Sequence, residues 1–232
     1  MLSFVGTGSA FNPALGNNAA YIKQGKDLFL IDCGGNIFER IIKENLLKNV
    51  DNVFVLMTHT HFDHIGSLGD LILYGYYSMG TLGKPSVHLI DTPLDTKMIL
   101  TLCGVSENTY KTVDREDLEV DGEQVYIKSY LVNHVKELNC YGYEIGFKGE
   151  LVYYSGDSNE IPEEPLKKLN VGKYDAFYQD TCSADYDGNV HLSLRKLAKL
   201  VDRRYRKDVY CMHLDKRELA DDVRKLGFNV AK

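Results

Sequence analysis

The stretch Thr58-His59-Thr60-His61-Phe62-Asp63-His64 decides how this chain is interpreted. It brings three imidazoles and a carboxylate close together in a chain that has seven histidines among 232 residues. An apolar run, Asn52–Met57, precedes it, and apolar residues recur with helical spacing from Ile65 to Tyr77. Alternation along an extended backbone places His59 and His61 on one side, and the following turn can bring Asp63 and His64 beside them. Because imidazole and carboxylate suit zinc and related first-row metals, the stretch predicts a metal site.

Isolated histidines and aspartates follow apolar runs later in the chain. His134 follows the expected strand Tyr126–Val132, Asp157 follows Leu151–Ser155, and His213 follows Val209–Met212. Loops at strand ends are where a scaffold presents functional groups. Four ligands from one segment cannot complete a two-metal site, so these three residues are expected to supply the rest.

Composition and element order indicate one α/β domain over residues 1–232. Apolar residues make up 44% of the chain, and the formal net charge is −6. A strand-rich beginning followed by alternating strands and helices favours two sheets packed face to face with helices outside, an αββα sandwich. No long apolar run or signal peptide is recognisable, so we expect a soluble cytoplasmic protein without a membrane partner. The five scattered cysteines are expected to be mostly reduced core residues.

The sequence resembles the metallo-β-lactamase superfamily, and within it the ribonuclease Z-like phosphodiesterases. The resemblance covers nearly the whole chain, through Gly6-Thr7-Gly8-Ser9, Leu30-Ile31-Asp32-Cys33-Gly34, the His-rich stretch and the later single residues in order. It implies a metallo-β-lactamase fold and two divalent metal ions, Zn²⁺ foremost, although the ligands also suit manganese and iron.

The resemblance also implies the role of each ligand. One ion is expected on His59, His61 and His134, and the other on Asp63, His64 and His213. Asp157 would bridge the two ions, a position at which the commonest true β-lactamases carry cysteine. A bridging carboxylate suits phosphoester chemistry, in which paired metals hold the attacking hydroxide and clamp the phosphoryl oxygens. Asp32 would orient a ligand, or it is a turn aspartate.

A further histidine separates phosphodiesterases from other members of the superfamily. Gln179-Asp180-Thr181-Cys182 followed by His191-Leu192-Ser193-Leu194 is similar to the ribonuclease Z pattern, except that Leu194 replaces threonine. The resemblance implies that His191 is the general acid, with Asp180 as its partner, and Asp63 is counted as catalytic as well as a ligand. A histidine suits this role because its pKa lies near neutrality.

The expected substrate is a small phosphodiester. Transfer-RNA-processing relatives carry an RNA-gripping arm between the positions of His134 and Asp157, whereas here residues 135–156 read as two plain strands. The chain looks like the arm-less relatives that cleave cyclic nucleotides, such as the phage anti-Pycsar enzymes. We therefore expect a phosphodiesterase for 3′,5′-cyclic AMP, GMP, CMP and UMP, with no stable nucleic-acid partner. Those relatives are commonly dimers, so a homodimer is expected, with Tyr74–Leu82 as the suggested contact. One of Tyr74, Tyr76 and Tyr77 could stack on a base, and the alternative is that these rings pack a helix face.

Three alternatives remain at this point. A ribonuclease Z-type endonuclease that processes transfer-RNA 3′ ends would need an arm elsewhere or a basic groove. A hydrolase of another ester, such as a lactone or glutathione thioester, would not need His191 with Asp180. A non-catalytic member of the fold would be expected to have lost ligands, whereas every matching position here holds a ligating side chain.

Overall fold

Two six-stranded sheets carry most of the strand structure, one in each of two units of the chain. The computed structural model describes residues 1–232. The N-terminal unit consists of residues 2–6 and 17–125, and the C-terminal unit consists of residue 1 with residues 7–16 and 126–232. The single domain expected over residues 1–232 stays a prediction.

The N-terminal unit begins with antiparallel strands and continues with parallel ones. Its sheet has the order β1 to β6, antiparallel from β1 to β3 and parallel from β3 to β6. The strands are β1 (Ser3–Gly6), β2 (Ala19–Gln24), β3 (Asp27–Ile31), β4 (Asn52–Leu56), β5 (Val87–Ile90) and β6 (Lys111–Val113), and a separate hairpin pairs β7 (Glu119–Val120) with β8 (Glu123–Gln124). The helices are α1 (Ile37–Lys43), α2 (Phe62–Ile65), α3 (Leu68–Tyr77) and α4 (Thr96–Leu102).

Apolar patterning explains this half of the fold. The parallel strands β3 and β4 are nearly continuous apolar runs, and both are buried, as expected of strands covered on two faces. Asp95 is the N-cap of α4, and its side chain accepts a hydrogen bond from the Met98 amide at 3.1 Å. The helical spacing from Ile65 to Tyr77 corresponds to α3, which begins at Leu68 after α2 ends at Ile65. The Ser67 hydroxyl between them bonds the Gly34 carbonyl at 2.5 Å instead of continuing a helix face.

The C-terminal unit repeats the same change from antiparallel to parallel strands. Its sheet has the order β14-β13-β12-β11-β10-β9, antiparallel from β9 to β11 and parallel from β11 to β14. The strands are β9 (Tyr126–Val132), β10 (Cys140–Phe147), β11 (Glu150–Tyr154), β12 (Ala176–Asp180), β13 (Val209–Met212) and β14 (Asn229–Val230). The helices are α5 (Glu163–Leu169), α6 (Leu194–Leu200) and α7 (Leu219–Lys225), and Arg203–Asp208 forms a 3₁₀ helix.

The carboxyl ends of parallel strands gather the residues of interest within each unit. Ile31 at the end of β3 pairs with Leu56 at the end of β4, so Asp32 and the His-rich stretch leave the sheet side by side. In the other unit Asp180 at the end of β12 pairs with Met212, which precedes His213. No helix of the structure has both the length and the apolar character needed to cross a membrane.

Candidate metal centre

The N-terminal unit brings the first two histidines of the His-rich stretch into contact. His59 is fully buried, and its Nε2 lies 3.0 Å from Nδ1 of His61. Two imidazole nitrogens on one tetrahedral zinc ion, at a Zn–N distance of about 2.1 Å, would lie roughly 3.3 Å apart. The two ring nitrogens therefore have the spacing of ligands that share an ion.

The short helix α2 positions the second pair of this stretch. His61 has an extended backbone and is the N-cap of α2, so the chain turns sharply after it. Within that turn Nε2 of the buried His64 lies 3.4 Å from Oδ2 of Asp63. An imidazole nitrogen and a carboxylate oxygen thus face the same point, which is a second pair suited to a divalent cation.

Asp32 holds His64 in place from the neighbouring strand. It is fully buried, and it accepts hydrogen bonds from the Thr58 amide at 2.8 Å, the Thr58 hydroxyl at 2.7 Å and Nδ1 of His64 at 2.8 Å. Burial raises the pKa of Asp32, and the favourable interaction with His64 opposes that shift. Because Nδ1 carries the shared proton, the Nε2 lone pair of His64 is presented toward Asp63, as a metal ligand requires.

Two glycines allow the His-rich turn to pack this closely. A Cβ on Gly34 would lie 1.8 Å from the Asp63 carbonyl oxygen, and one on Gly66 would lie 2.4 Å from the Phe62 carbonyl oxygen. Both distances are far inside van der Waals contact, so only glycine fits. The Gly34-Gly35 segment after β3 therefore belongs to the site as a surface against which α2 is placed.

The C-terminal unit places a carboxylate between two imidazoles. Oδ2 of the buried Asp157 lies 3.3 Å from Nε2 of His213 and 3.7 Å from Nε2 of His134. Nδ1 of His134 contacts the Val190 carbonyl oxygen at 2.9 Å, so it carries the proton and its Nε2 faces Asp157. An aspartate in contact with histidines on both sides has the arrangement expected of a bridging ligand.

His191 and Asp180 form a close pair in the same unit. Nδ1 of His191 lies 2.7 Å from Oδ2 of the fully buried Asp180, and 4.0 Å from Oδ2 of Asp157. Burial alone would lower the pKa of His191, but the Asp180 carboxylate outweighs it and the pKa is raised. Asp180 shows the reverse, since burial raises its pKa but His191 and His213 lower it overall. The pair therefore favours a protonated imidazole next to an ionised carboxylate.

The donor chemistry of both units fits divalent metal ions. Each unit gathers buried imidazole nitrogens and carboxylate oxygens, and the ligand atoms of Asp157, Asp180, His191 and His213 lie within 4.8 Å of one another. Such sets are suited to Zn²⁺, Mn²⁺ and Fe²⁺ alike. Sequence reasoning named all of these residues, but it missed Asn189, whose buried amide holds the loop before His191.

The tyrosines proposed for base stacking separate into different environments. The Tyr74 ring packs on Phe38, with the centroids 5.5 Å apart, at the edge of the N-terminal core. Tyr77 is 60% exposed and meets Tyr76 edge to face. Packing thus accounts for Tyr74, while Tyr77 remains a surface residue.

Comparison with proteins of known structure gives the fold. The metallo-β-lactamase fold protein YhfI from Bacillus subtilis superposes with a TM-score of 0.71 at 18% identity, covering 99% of this chain and 95% of that one. The short form of human tRNase Z superposes with a TM-score of 0.69 at 17% identity, covering 94% and 93%. The predicted α/β class and metallo-β-lactamase fold are therefore confirmed.

Comparison of sequences gives the family. An anti-Pycsar protein Apyc1 from Bacillus phage BSP38 is 30% identical over 233 aligned positions, which cover 91% of this chain and 88% of the relative. The sequence profile described as "Anti-Pycsar protein Apyc1" matches residues 1–230. The chain is thus a metallo-hydrolase-fold protein that belongs to the anti-Pycsar protein Apyc1 family.

Proposed function

We propose that this protein is a phosphodiesterase that opens 3′,5′-cyclic nucleotides, namely cyclic AMP, GMP, CMP and UMP. The contact of 2.7 Å between His191 and the buried Asp180 carries the proposal. A metal site alone would suit many ester hydrolases, whereas a histidine paired in this way supplies the acid that an alkoxide leaving group needs. Membership of the anti-Pycsar family supports the same substrate class.

The metal ligands are proposed from the family pattern and from the contacts within each unit. His59, His61 and His134 would hold one ion, Asp63, His64 and His213 would hold the other, and Asp157 would bridge them. Zn²⁺ is the proposed metal, with Mn²⁺ as the second choice. Two bound divalent ions would supply an activated water and the positive charge that neutralises the phosphoryl oxygens.

The residues of the chain itself would handle the proton of the reaction. In our proposal the imidazolium of His191 donates a proton to the departing ribose oxygen as the ring phosphate opens. Asp180 accepts a hydrogen bond from Nδ1 of His191. This bond fixes the orientation of the imidazole and leaves Nε2 to act on the substrate. Because Asp180 raises the pKa of His191, a larger fraction of the imidazole carries the acid proton than in a free histidine. Asp63, whose carboxylate lies next to His64, would hold an ion and is proposed as a catalytic residue as well.

The shape of the C-terminal sheet supports a small substrate. Between His134 and Asp157 the chain forms only β10 and β11, which are joined directly at Lys148-Gly149. A hairpin this tight leaves no space in that segment for an RNA-gripping arm. The net charge of −6 likewise offers little attraction for a long polyanion. We further propose that the protein works in the cytoplasm, the host cytoplasm if it is viral, as a homodimer.

The test compares small and large phosphodiesters with zinc-reconstituted protein. The four cyclic nucleotides and a transfer-RNA precursor are offered to wild type and to His61→Ala, His191→Ala and His88→Ala. His88 lies on β5 and has no proposed role, so it is the matched control. We expect ring opening by wild type and His88→Ala, loss with His61→Ala, and a decrease of about 10²- to 10⁴-fold with His191→Ala. Cleavage of the RNA without ring opening would replace the proposal with a ribonuclease Z-type activity.

A further inference from the structure

Asn189 is a buried polar residue two positions before His191. Its side chain is engaged on both sides: Oδ1 accepts the His191 amide at 3.2 Å, and Nδ2 donates to the Ala184 carbonyl at 2.9 Å and to Sγ of Cys182 at 3.2 Å. Only 5% of the residue is exposed. Burying a side-chain amide costs little free energy when its acceptor and donors are all hydrogen-bonded. Removing this one would leave backbone groups unpaired.

These bonds join the two ends of the loop that follows β12. Cys182 pairs with the far end of the loop, since its amide donates to the Leu192 carbonyl at 3.0 Å and its carbonyl accepts the Leu194 amide at 3.0 Å. Asn189 adds a crosslink inside the loop, between Cys182-Ala184 and the His191 backbone. The position of the His191 main chain is therefore set by the end of a buried strand.

The same turn also reaches His134. Val190, the residue between Asn189 and His191, gives the carbonyl oxygen that contacts Nδ1 of His134 at 2.9 Å. In addition, the Asn189 carbonyl accepts a hydrogen bond from the Asn159 side chain at 3.0 Å, close in sequence to Asp157. The turn of residues 189–191 thus carries the proposed acid, and it contacts a proposed metal ligand and the segment with the proposed bridging carboxylate.

We propose that Asn189 is a positioning residue that sets the placement of His191 and, through the Val190 carbonyl, the orientation of His134. The inference rests on the proposed function, in which His191 protonates the leaving oxygen. Asn189 does not touch the substrate in this scheme. Its loss would leave His191 present but displaced, and a displacement of about 1 Å can cost on the order of 10²-fold in rate.

The chain offers a matched control in Asn170. Its Oδ1 accepts the Asp202 amide at 2.9 Å and its Nδ2 donates to the Leu200 carbonyl at 3.1 Å, so it clamps a loop of the same unit with similar bonds. Asn170→Ala and Asn189→Ala remove the same atoms. Thermal unfolding of both variants gives the stability loss that any loop asparagine would cause.

The first readout is the dependence on the leaving group. Cyclic AMP loses an alkoxide, which needs a proton, whereas bis(p-nitrophenyl) phosphate loses a p-nitrophenolate, which does not. We expect Asn189→Ala to lower kcat for cyclic AMP by about 10- to 100-fold, and kcat for the aryl ester by no more than about threefold. Asn170→Ala should leave the ratio of the two rates unchanged. Equal losses on both substrates with Asn189→Ala would overturn the placement of His191 by Asn189, because a displaced His134 by itself would slow both substrates.

The second readout does not depend on turnover. Nitrogen-15 NMR of the zinc-loaded protein follows the Nδ1–H resonance of His191, which Asp180 should shift to low field and which His191→Ala identifies. Asn189→Ala should move or broaden this resonance, and Asn170→Ala should not; an unchanged resonance would overturn the inference. If wild type opens no cyclic nucleotide but the resonance responds as expected, the proposed function fails and the positioning by Asn189 stands.

Discussion

Asp32 and His213 both adopt left-handed backbone conformations, with φ values of 64° and 56°. Such values are uncommon outside glycine, and at functional sites the surrounding contacts hold them in place. Each residue directly follows a buried parallel strand, β3 or β13, and each turns its side chain onto a proposed ligand. The backbone conformations of Asp32 and His213 thus direct their side chains toward the proposed metal ligands of each unit.

The role of Asp32 gives a prediction at this scale. Asp32→Asn keeps the side-chain shape and tolerates positive φ, but its amide is a poorer acceptor for the His64 Nδ1 proton. We expect zinc affinity to decrease about 10- to 100-fold, because this is the usual loss when a residue that orients a metal ligand is replaced. The measurement is competitive zinc titration against a chromophoric chelator. Asp27→Asn, at the other end of β3, is the control, and an Asp32 variant with the affinity of that control would contradict the assignment.

His88 gives a pH-dependent prediction. Burial lowers its pKa from 6.5 to about 4, with Lys111 acting in the same direction. As pH falls below 6.5, the unfolded chain takes up a proton that the folded chain refuses, so folding stability decreases until pH reaches about 4 and then levels off. Solvent screening at this partly exposed site keeps the change in stability below the roughly 3 kcal/mol that such a pKa shift would represent for a fully buried group. Urea unfolding at pH 7 and 4.5 should show a smaller acid loss for His88→Gln than for wild type, and equal losses would contradict the prediction.

At the scale of elements, the β10–β11 hairpin is the feature that supports the proposal of a small substrate. Its turn residues Lys148 and Gly149 have φ values of 51° and 82°, the two positive values of a type I′ turn. Gly149→Ala would place a Cβ in open space but at an unfavourable φ. We therefore expect the free energy of unfolding to decrease by about 1 kcal/mol. Lys148→Asn should instead stabilise by a few tenths to about 1 kcal/mol, because asparagine tolerates this region better. Chemical denaturation measures both, and a neutral Gly149→Ala would argue against this turn.

The elements also show how far sequence patterning reaches. The sequence predicts the strands Tyr126–Val132 and Val209–Met212, and their predicted bounds match the structure. The short strands β6 and β14, at the sheet edges, have too few residues to show a period. The histidines of the His-rich stretch could be predicted because their spacing is local, whereas the later histidines are assigned from strand ends and from the family resemblance. The partners of Asp32 could not be predicted, because Thr58 and His64 lie on a segment that only the fold brings beside it. The partners of the Asn189 side chain are near it in sequence, but the loop that holds them has no repeating pattern to predict its conformation.

At the scale of the whole molecule, metal binding should be visible as stability. His59, His61 and His134 are the proposed ligands of one of the two ions. Ions that bind only the folded chain stabilise it by about 2.7 kcal/mol at a free concentration 100 times Kd. For a chain of this length that corresponds to a rise in Tm of roughly 5 to 10 °C on adding Zn²⁺ after chelation.

The ligand variants decide whether that stabilisation arises as proposed. His61→Ala and His134→Ala should each reduce the zinc-dependent rise in Tm, since each removes a ligand of the same proposed ion. His88→Gln, outside the site, should keep the full rise. Calorimetry of the chelated and zinc-loaded forms gives the difference for each variant, so any loss of apo stability cancels. If His134→Ala kept the wild-type rise while His61→Ala lost it, His134 would not be a ligand of that ion, and the proposed ligand set would be wrong.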